Sequence, residues 1–120
     1  MNMQLTTSVQ GDITASIVGA LDASSCGQYK HVFEDLCQSS ANKVIVVNMT
    51  QVSQLDASGI GALVFMFKRI HAAGGHLIIC GAQQQPRDLL MMLRVNQIIT
   101  MFDTLPSSAS VHQSLSSIAA

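Results

Sequence analysis

The spacing of hydrophobic and polar residues changes period several times along the chain, and each change marks an element. Met3 to Val9 and Thr14 to Ala20 flank the turn signal Gly11-Asp12 and predict an N-terminal hairpin. Leu21-Asp22-Ala23-Ser24-Ser25 then offers several cap residues. Behind it Tyr29, Val32, Phe33, Leu36 and Cys37 recur on one helical face, which predicts a single helix ending near Ser39-Ser40. Lys43 to Asn48 is a continuous apolar run rich in β-branched residues, the pattern of a strand buried on both faces in a parallel sheet.

A polar connection centred on Asp56, Ala57 and Ser58 leads into the longest helical pattern. Gly74-Gly75 closes that helix, and Lys68, Arg69 and His71 suit its negative end. His76 to Cys80 follows as another buried strand, completing a βαβ unit expected to be right-handed. Pro86 belongs in a first helical turn and introduces Arg87 to Leu93, with Leu89, Leu90 and Leu93 on one face and Met91 and Met92 read as fillers of core gaps. Gln97 to Phe102 reads as a last strand. Beyond Pro106, Val111, Leu115 and Ile118 give the period of a final amphipathic helix. The expectation is an α/β fold in one domain, residues 1–120, with helices packed on a mostly parallel sheet.

Within the long helix, a turn of about 100° per residue groups Ile60, Leu63, Val64, Phe67 and Ile70 on the side predicted to meet the sheet. Ser58, Ala62, Phe65 and Arg69 form a line on the other side, which places an exposed aromatic near a serine. A small apolar patch with a cationic rim suits partner docking. Asp56 is predicted to cap the helix by accepting from the amide of Ser58 or Gly59, and Gly59 and Gly61 to allow close approach to the sheet or to a partner.

Charge and cysteine content then narrow the function. Net charge is -1 with 11% charged residues, and no basic stripe is present, so a nucleic-acid partner is not expected. Cys26, Cys37 and Cys80 are odd in number and lack a C-x-x-C pair, and His31, His71, His76 and His112 are scattered. Neither a disulfide framework nor a metal or other cofactor is indicated. The N-terminal MNMQLTTSVQGD has no basic region followed by an apolar one, and no run reaches the ~18 apolar residues of a membrane span. A soluble, cytoplasmic protein without membrane insertion is expected.

The chemistry points to a switch and not to a catalyst. Ser58 falls at the positive end of a helix dipole, where an added phosphate is accommodated. G-x-S-x-G is absent, and no histidine neighbours Ser58 in sequence to serve as base. The partial G-x-G of Gly59 to Gly61 lacks its third glycine, and eight residues separate Val47 from Asp56, too many for the tight turn of a dinucleotide fingerprint. Weak nucleotide binding at the helix start stays open.

The order strand, polar turn, D-A-S-G-I-G, amphipathic helix, G-G, strand resembles the STAS domain family of anti-sigma factor antagonists. Gly19-Ala20-Leu21-Asp22 is similar to that family's G-x-L-D turn, and Pro86 through Phe102 to its third helix and last strand. The resemblance covers nearly the whole chain and implies a STAS fold with a mixed, mostly parallel sheet of about five strands. It also implies partner switching, in which a GHKL-type serine kinase acting as anti-sigma factor binds the unmodified protein, phosphorylates it and thereby releases it, and a PP2C-like phosphatase restores it. The implied phosphorylation site is Ser58, and the implied partner face comprises Asp22, Ala23, Ser24, Asp56, Ala57, Ser58, Gly59, Ala62, Phe65 and Arg69. In one respect the chain departs from the pattern. The family's usual acceptor follows the Asp directly, and here that residue is Ala57. Other members implied by the resemblance control exopolysaccharide or biofilm formation, or serve without phosphorylation as accessory subunits of lipid or anion transporters.

Overall fold

The computed structural model describes residues 2–105. A five-stranded sheet runs in the order β1-β2-β3-β4-β5, with β1 (Asn2–Thr7), β2 (Ile13–Leu21), β3 (Val44–Leu55), β4 (His76–Cys80) and β5 (Thr100–Phe102). β1 and β2 form the antiparallel hairpin, and every later pair is parallel. The mixed, mostly parallel sheet of the sequence reading is therefore present. Parallel neighbours need crossovers, and these are α1 (Ala23–Gln28) with α2 (Lys30–Gln38), α3 (Ala57–Ala72), and α4 (Gln84–Met92) with a 3-10 turn at Val95–Gln97.

Strand alternation divides the sheet's apolar residues between two faces. Ala15, Ile17, Ile45, Val47, Met49, Leu77 and Ile79 join Phe33, Leu36, Leu63, Met66 and Ile70 of the helices in the main core. Val44, Val46, Ile78 and Cys80 are buried in a second cluster against Phe102. Burial pushes the Cys80 thiol up to about 11, well outside the reactive range.

Several boundaries differ from the sequence reading, each for a local reason. The single helix expected between the Leu21-to-Ser25 caps and Ser39-Ser40 is two helices, broken at Tyr29, whose backbone (φ -104, ψ 16) leaves the helical region. β3 does not stop at Asn48 but continues to Leu55 because β2 accompanies it to the end, Leu21 opposite Leu55. The connection to α3 is accordingly Asp56 alone, which corrects the long polar turn and removes the spacing objection to a tight βα junction. α4 begins earlier, at Gln84, with Pro86 inside its first turn. It buries only Pro86 and Leu90, so Met91, Met92 and Leu93 are exposed, and the two methionines do not fill core gaps. The last strand is three residues long, because Arg94 in the left-handed region (φ 59) starts a 3-10 turn that uses up Val95–Gln97. The final helix expected at Val111, Leu115 and Ile118 lies outside the described residues.

The end of α3 is as the glycines predict. Gly74 adopts a left-handed φ of 81°, its N–H donates to the His71 carbonyl, and the Gly75 N–H donates to the Ile70 carbonyl at 2.9 Å. This termination turns the chain sharply into β4.

Candidate functional site

The site forms where the chain leaves the C-terminal ends of β2 and β3, adjacent parallel strands that each enter a helix through one aspartate. Asp22 caps α1: its Oδ1 accepts from the Ser25 N–H at 3.0 Å while the Ser25 hydroxyl accepts from the Asp22 N–H at 2.9 Å, a reciprocal capping box. The Ser25 amide holds the Asp22 carboxyl below its ordinary value. Asp56 caps α3 by accepting from the Gly59 N–H at 2.9 Å. Its second oxygen accepts from the Ala23 N–H at 3.3 Å. One carboxylate thus serves both helices and holds the two turns together across 33 residues of sequence.

Gly59 owes its identity to this junction. A Cβ there would lie 2.5 Å from the Leu21 carbonyl oxygen and 2.5 Å from a Leu55 methyl, closer than any real contact. Gly61, by contrast, faces open space, so it serves no approach to the sheet. The buried line of α3 is Gly59, Leu63, Met66 and Ile70. Ile60, Val64 and Phe67 are only half-buried, which rotates the sheet-facing side away from the predicted stripe and brings in Met66, which that stripe left out. Gly59 explains the rotation: contact is tightest where no side chain intervenes.

On the outer side, Ala57 and Ser58 are exposed in the first turn of α3. Phe65 is 50% exposed, and the Arg69 guanidinium carbon stands 5.4 Å from its ring centroid, a cation–π contact. Ala62, between Ser58 and Phe65, is half-buried. Ala23 and Ser24 are exposed on the neighbouring turn. Ser58 is therefore brought together with Asp22, Ala23, Ser24, Asp56, Ala57 and Gly59 at the converging helix starts, while Arg69 lies about three turns further along.

Three features were not singled out from sequence. A cavity of about 400 Å³ opens between α2 and α3, with Phe33, Ala62, Phe65 and Met66 as apolar lining and Lys30 and Glu34 on the α2 wall. The i, i+4 spacing of Lys30 and Glu34 was visible, but not that it faced α3. Cys26 of α1 lines the same cavity, its Sγ 3.8 Å from the Ser58 carbonyl oxygen, and burial, followed by the charges of Asp56 and Asp22, pushes its thiol up. Gln85 of α4 bonds both backbone groups of Leu55, a tertiary contact that leaves no sequence signal.

Two capped helix starts of an α/β domain thus converge beside an exposed serine and an apolar groove. The chain belongs to the STAS domain family, whose profile matches residues 4–108. It is 23% identical over 104 residues to an anti-sigma F factor antagonist from Paenibacillus polymyxa, covering 86% of this chain and 89% of that protein. Solved structures that share the fold include the following two. The Bacillus cell fate determinant SpoIIAA in its phosphorylated form has a TM-score of 0.68 at 16% identity, with 95% of this chain and 99% of that one covered. A sulfate transporter family protein from Wolinella succinogenes has a TM-score of 0.70 at 18% identity, with 92% and 89% covered.

Proposed function

We propose that this protein is a non-enzymatic, cytoplasmic regulator of the anti-sigma factor antagonist type, which binds a GHKL-type serine kinase through the outer face of α3 and is switched by phosphorylation at Ser58. The observation that carries this reading is the placement of Ser58: exposed, in the first turn of α3, with its carbonyl oxygen 3.8 Å from the Sγ of Cys26, which lines the apolar groove together with Phe65. A phosphate there adds about -1.5 to -2 charges, which the helix start tolerates in the free protein. In a desolvated interface beside Asp56 the same charge is penalised, and Arg69, about 16 Å along the helix and engaged with Phe65, does not offset it. An unpaired interfacial charge costs roughly 2 to 5 kcal/mol, about 30- to 4000-fold in affinity. Release of the kinase follows from that penalty, and a PP2C-like phosphatase resets the cycle. The output is a sigma factor or a separate process such as exopolysaccharide and biofilm formation.

A second reading has its own observation. Ala57 occupies the position of the family's usual acceptor, which favours a phosphorylation-independent scaffold, such as an accessory subunit of a lipid or anion transporter. A pull-down from native lysate with Ser58→Ala and Ser58→Asp baits, with mass spectrometry of bound proteins and phosphosites, separates the two. A kinase retained by the Ala form and lost by the Asp form supports the switch. Transporter subunits held equally by both forms overturn it in favour of the scaffold.

A further inference from the structure

β3 outruns β4 on one of its edges. The pairing of the two strands ends at Asn48 opposite Cys80, leaving the last seven residues of β3, Met49 to Leu55, without a strand on that side. At the end of this open edge the Gln85 side chain takes the place of a strand residue. Its Oε1 accepts from the Leu55 N–H at 2.8 Å, and its Nε2 donates to the Leu55 carbonyl at 2.7 Å. On the opposite edge the Asp56 N–H donates to the Leu21 carbonyl at 3.4 Å. The residue that precedes the α3 cap is thus held on one edge, and the cap residue itself on the other.

We infer that Gln85 is a positioning residue for the switch turn, acting on Asp56 and Gly59 through Leu55. The route is short and physical. Leu55 is 2% exposed, and one of its methyls fills the space that a Gly59 side chain would need. Its carbonyl carbon is bonded directly to the Asp56 nitrogen, so the peptide plane set by Gln85 also sets where the Asp56 backbone begins. Asp56 in turn holds the Gly59 and Ala23 amides. α4, which contributes nothing to the outer face of α3, therefore fixes the geometry of that face from behind. That this tunes partner docking rests on the function proposed above; the mechanical link itself does not.

Site-resolved amide hydrogen exchange by NMR on the whole chain tests the link without any partner. Gln85→Leu removes both hydrogen bonds at similar size, and Gln85→Glu keeps an acceptor for the Leu55 N–H but cannot donate to the carbonyl while ionised. The expected result is a loss of roughly three- to tenfold in protection at Leu55 and Gly59 for Gln85→Leu. Gln85→Glu should fall between that variant and the natural chain, and Ile79 in the centre of the sheet should be unchanged in both. Equal loss at Leu55, Gly59 and Ile79 reduces Gln85 to general stability and overturns the inference, as does loss at Leu55 with Gly59 unaffected. If Gln85→Leu does not fold, Gln85→Glu alone decides by the same comparison.

Discussion

The two sides of α3 share one backbone and one cap, but different constraints act on them. Toward the sheet, Gly59, Leu63, Met66 and Ile70 are buried, and the helix start approaches β2 and β3 so closely that no side chain fits at Gly59. Away from it, Ala57, Ser58, Gly61, Phe65 and Arg69 are exposed, and the one specific contact among them is that of Arg69 with the Phe65 ring. Packing leaves little choice of residue on the first side. On the second, nothing among the described residues requires an aromatic at 65 or a serine at 58, which is what the proposed docking role calls for.

The contrast is sharpest in substitutions of equal size on the two sides. Met66→Ala removes a side chain that is 1% exposed and should cost about 2 to 5 kcal/mol in urea unfolding, the largest effect of any expected here. Gly59→Ala adds only a methyl, but against the Leu21 carbonyl and Leu55, and should cost about 1 to 3 kcal/mol. Gly61→Ala adds the same methyl two residues later into open space and should raise stability by about 0.5 to 1 kcal/mol, because helical glycine is entropically unfavourable. If the two glycine variants shift unfolding in the same direction, the division of α3 into a fitted and a free side is wrong.

These residues also mark how far the sequence could be read. Strand count, the hairpin, the long helix with its glycine stop, the Asp56 cap and the exposure of Phe65 all follow from period and cap chemistry, which are local. What escaped was non-local. The stripe on α3 was centred too near Val64 because periodicity weighs side chains, and the closest contact is made by Gly59, which has none. β3 was cut short at Asn48 because Thr50, Gln51, Ser53 and Gln54 are polar. They are exposed positions of a strand held by its neighbour. Gln85 and the groove between α2 and α3 depend on elements distant in sequence meeting in space. The acceptor position was legible as a departure, Ala57 where a hydroxyl is usual, but its consequence depends on the partner.

The caps offer a weaker test of the same contrast. The Asp22 carboxyl is held below its ordinary value chiefly by the Ser25 amide. A carboxylate with a lowered folded-state pKa contributes stability that is present above its unfolded value, near 4, and lost as pH falls through the folded one. Asp22→Asn should therefore be less stable than the natural chain at pH 7, and urea midpoints should converge toward pH 3. A gap of constant size across that range would mean that the charge of Asp22 is not what secures α1.

The smallest expected change in stability carries the most functional weight. Phe65→Ala removes a half-exposed ring and its contact with Arg69, so unfolding should shift by about 1 kcal/mol or less. The same ring lines the groove beside Ser58, and its loss should weaken capture of the partner whether or not Ser58 is phosphorylated, since it removes apolar contact instead of adding charge. Ser58→Asp should also weaken capture, but by charge instead of shape, since it leaves the groove intact and adds a carboxylate beside it. Combining the two distinguishes shape from charge: in Phe65→Ala, the further loss caused by Ser58→Asp should be smaller than in the natural chain, because a partner that no longer seats in the groove no longer desolvates the charge. Unfolding of Phe65→Ala by several kcal/mol would instead place the ring in the core and dissolve the distinction between the two sides of α3.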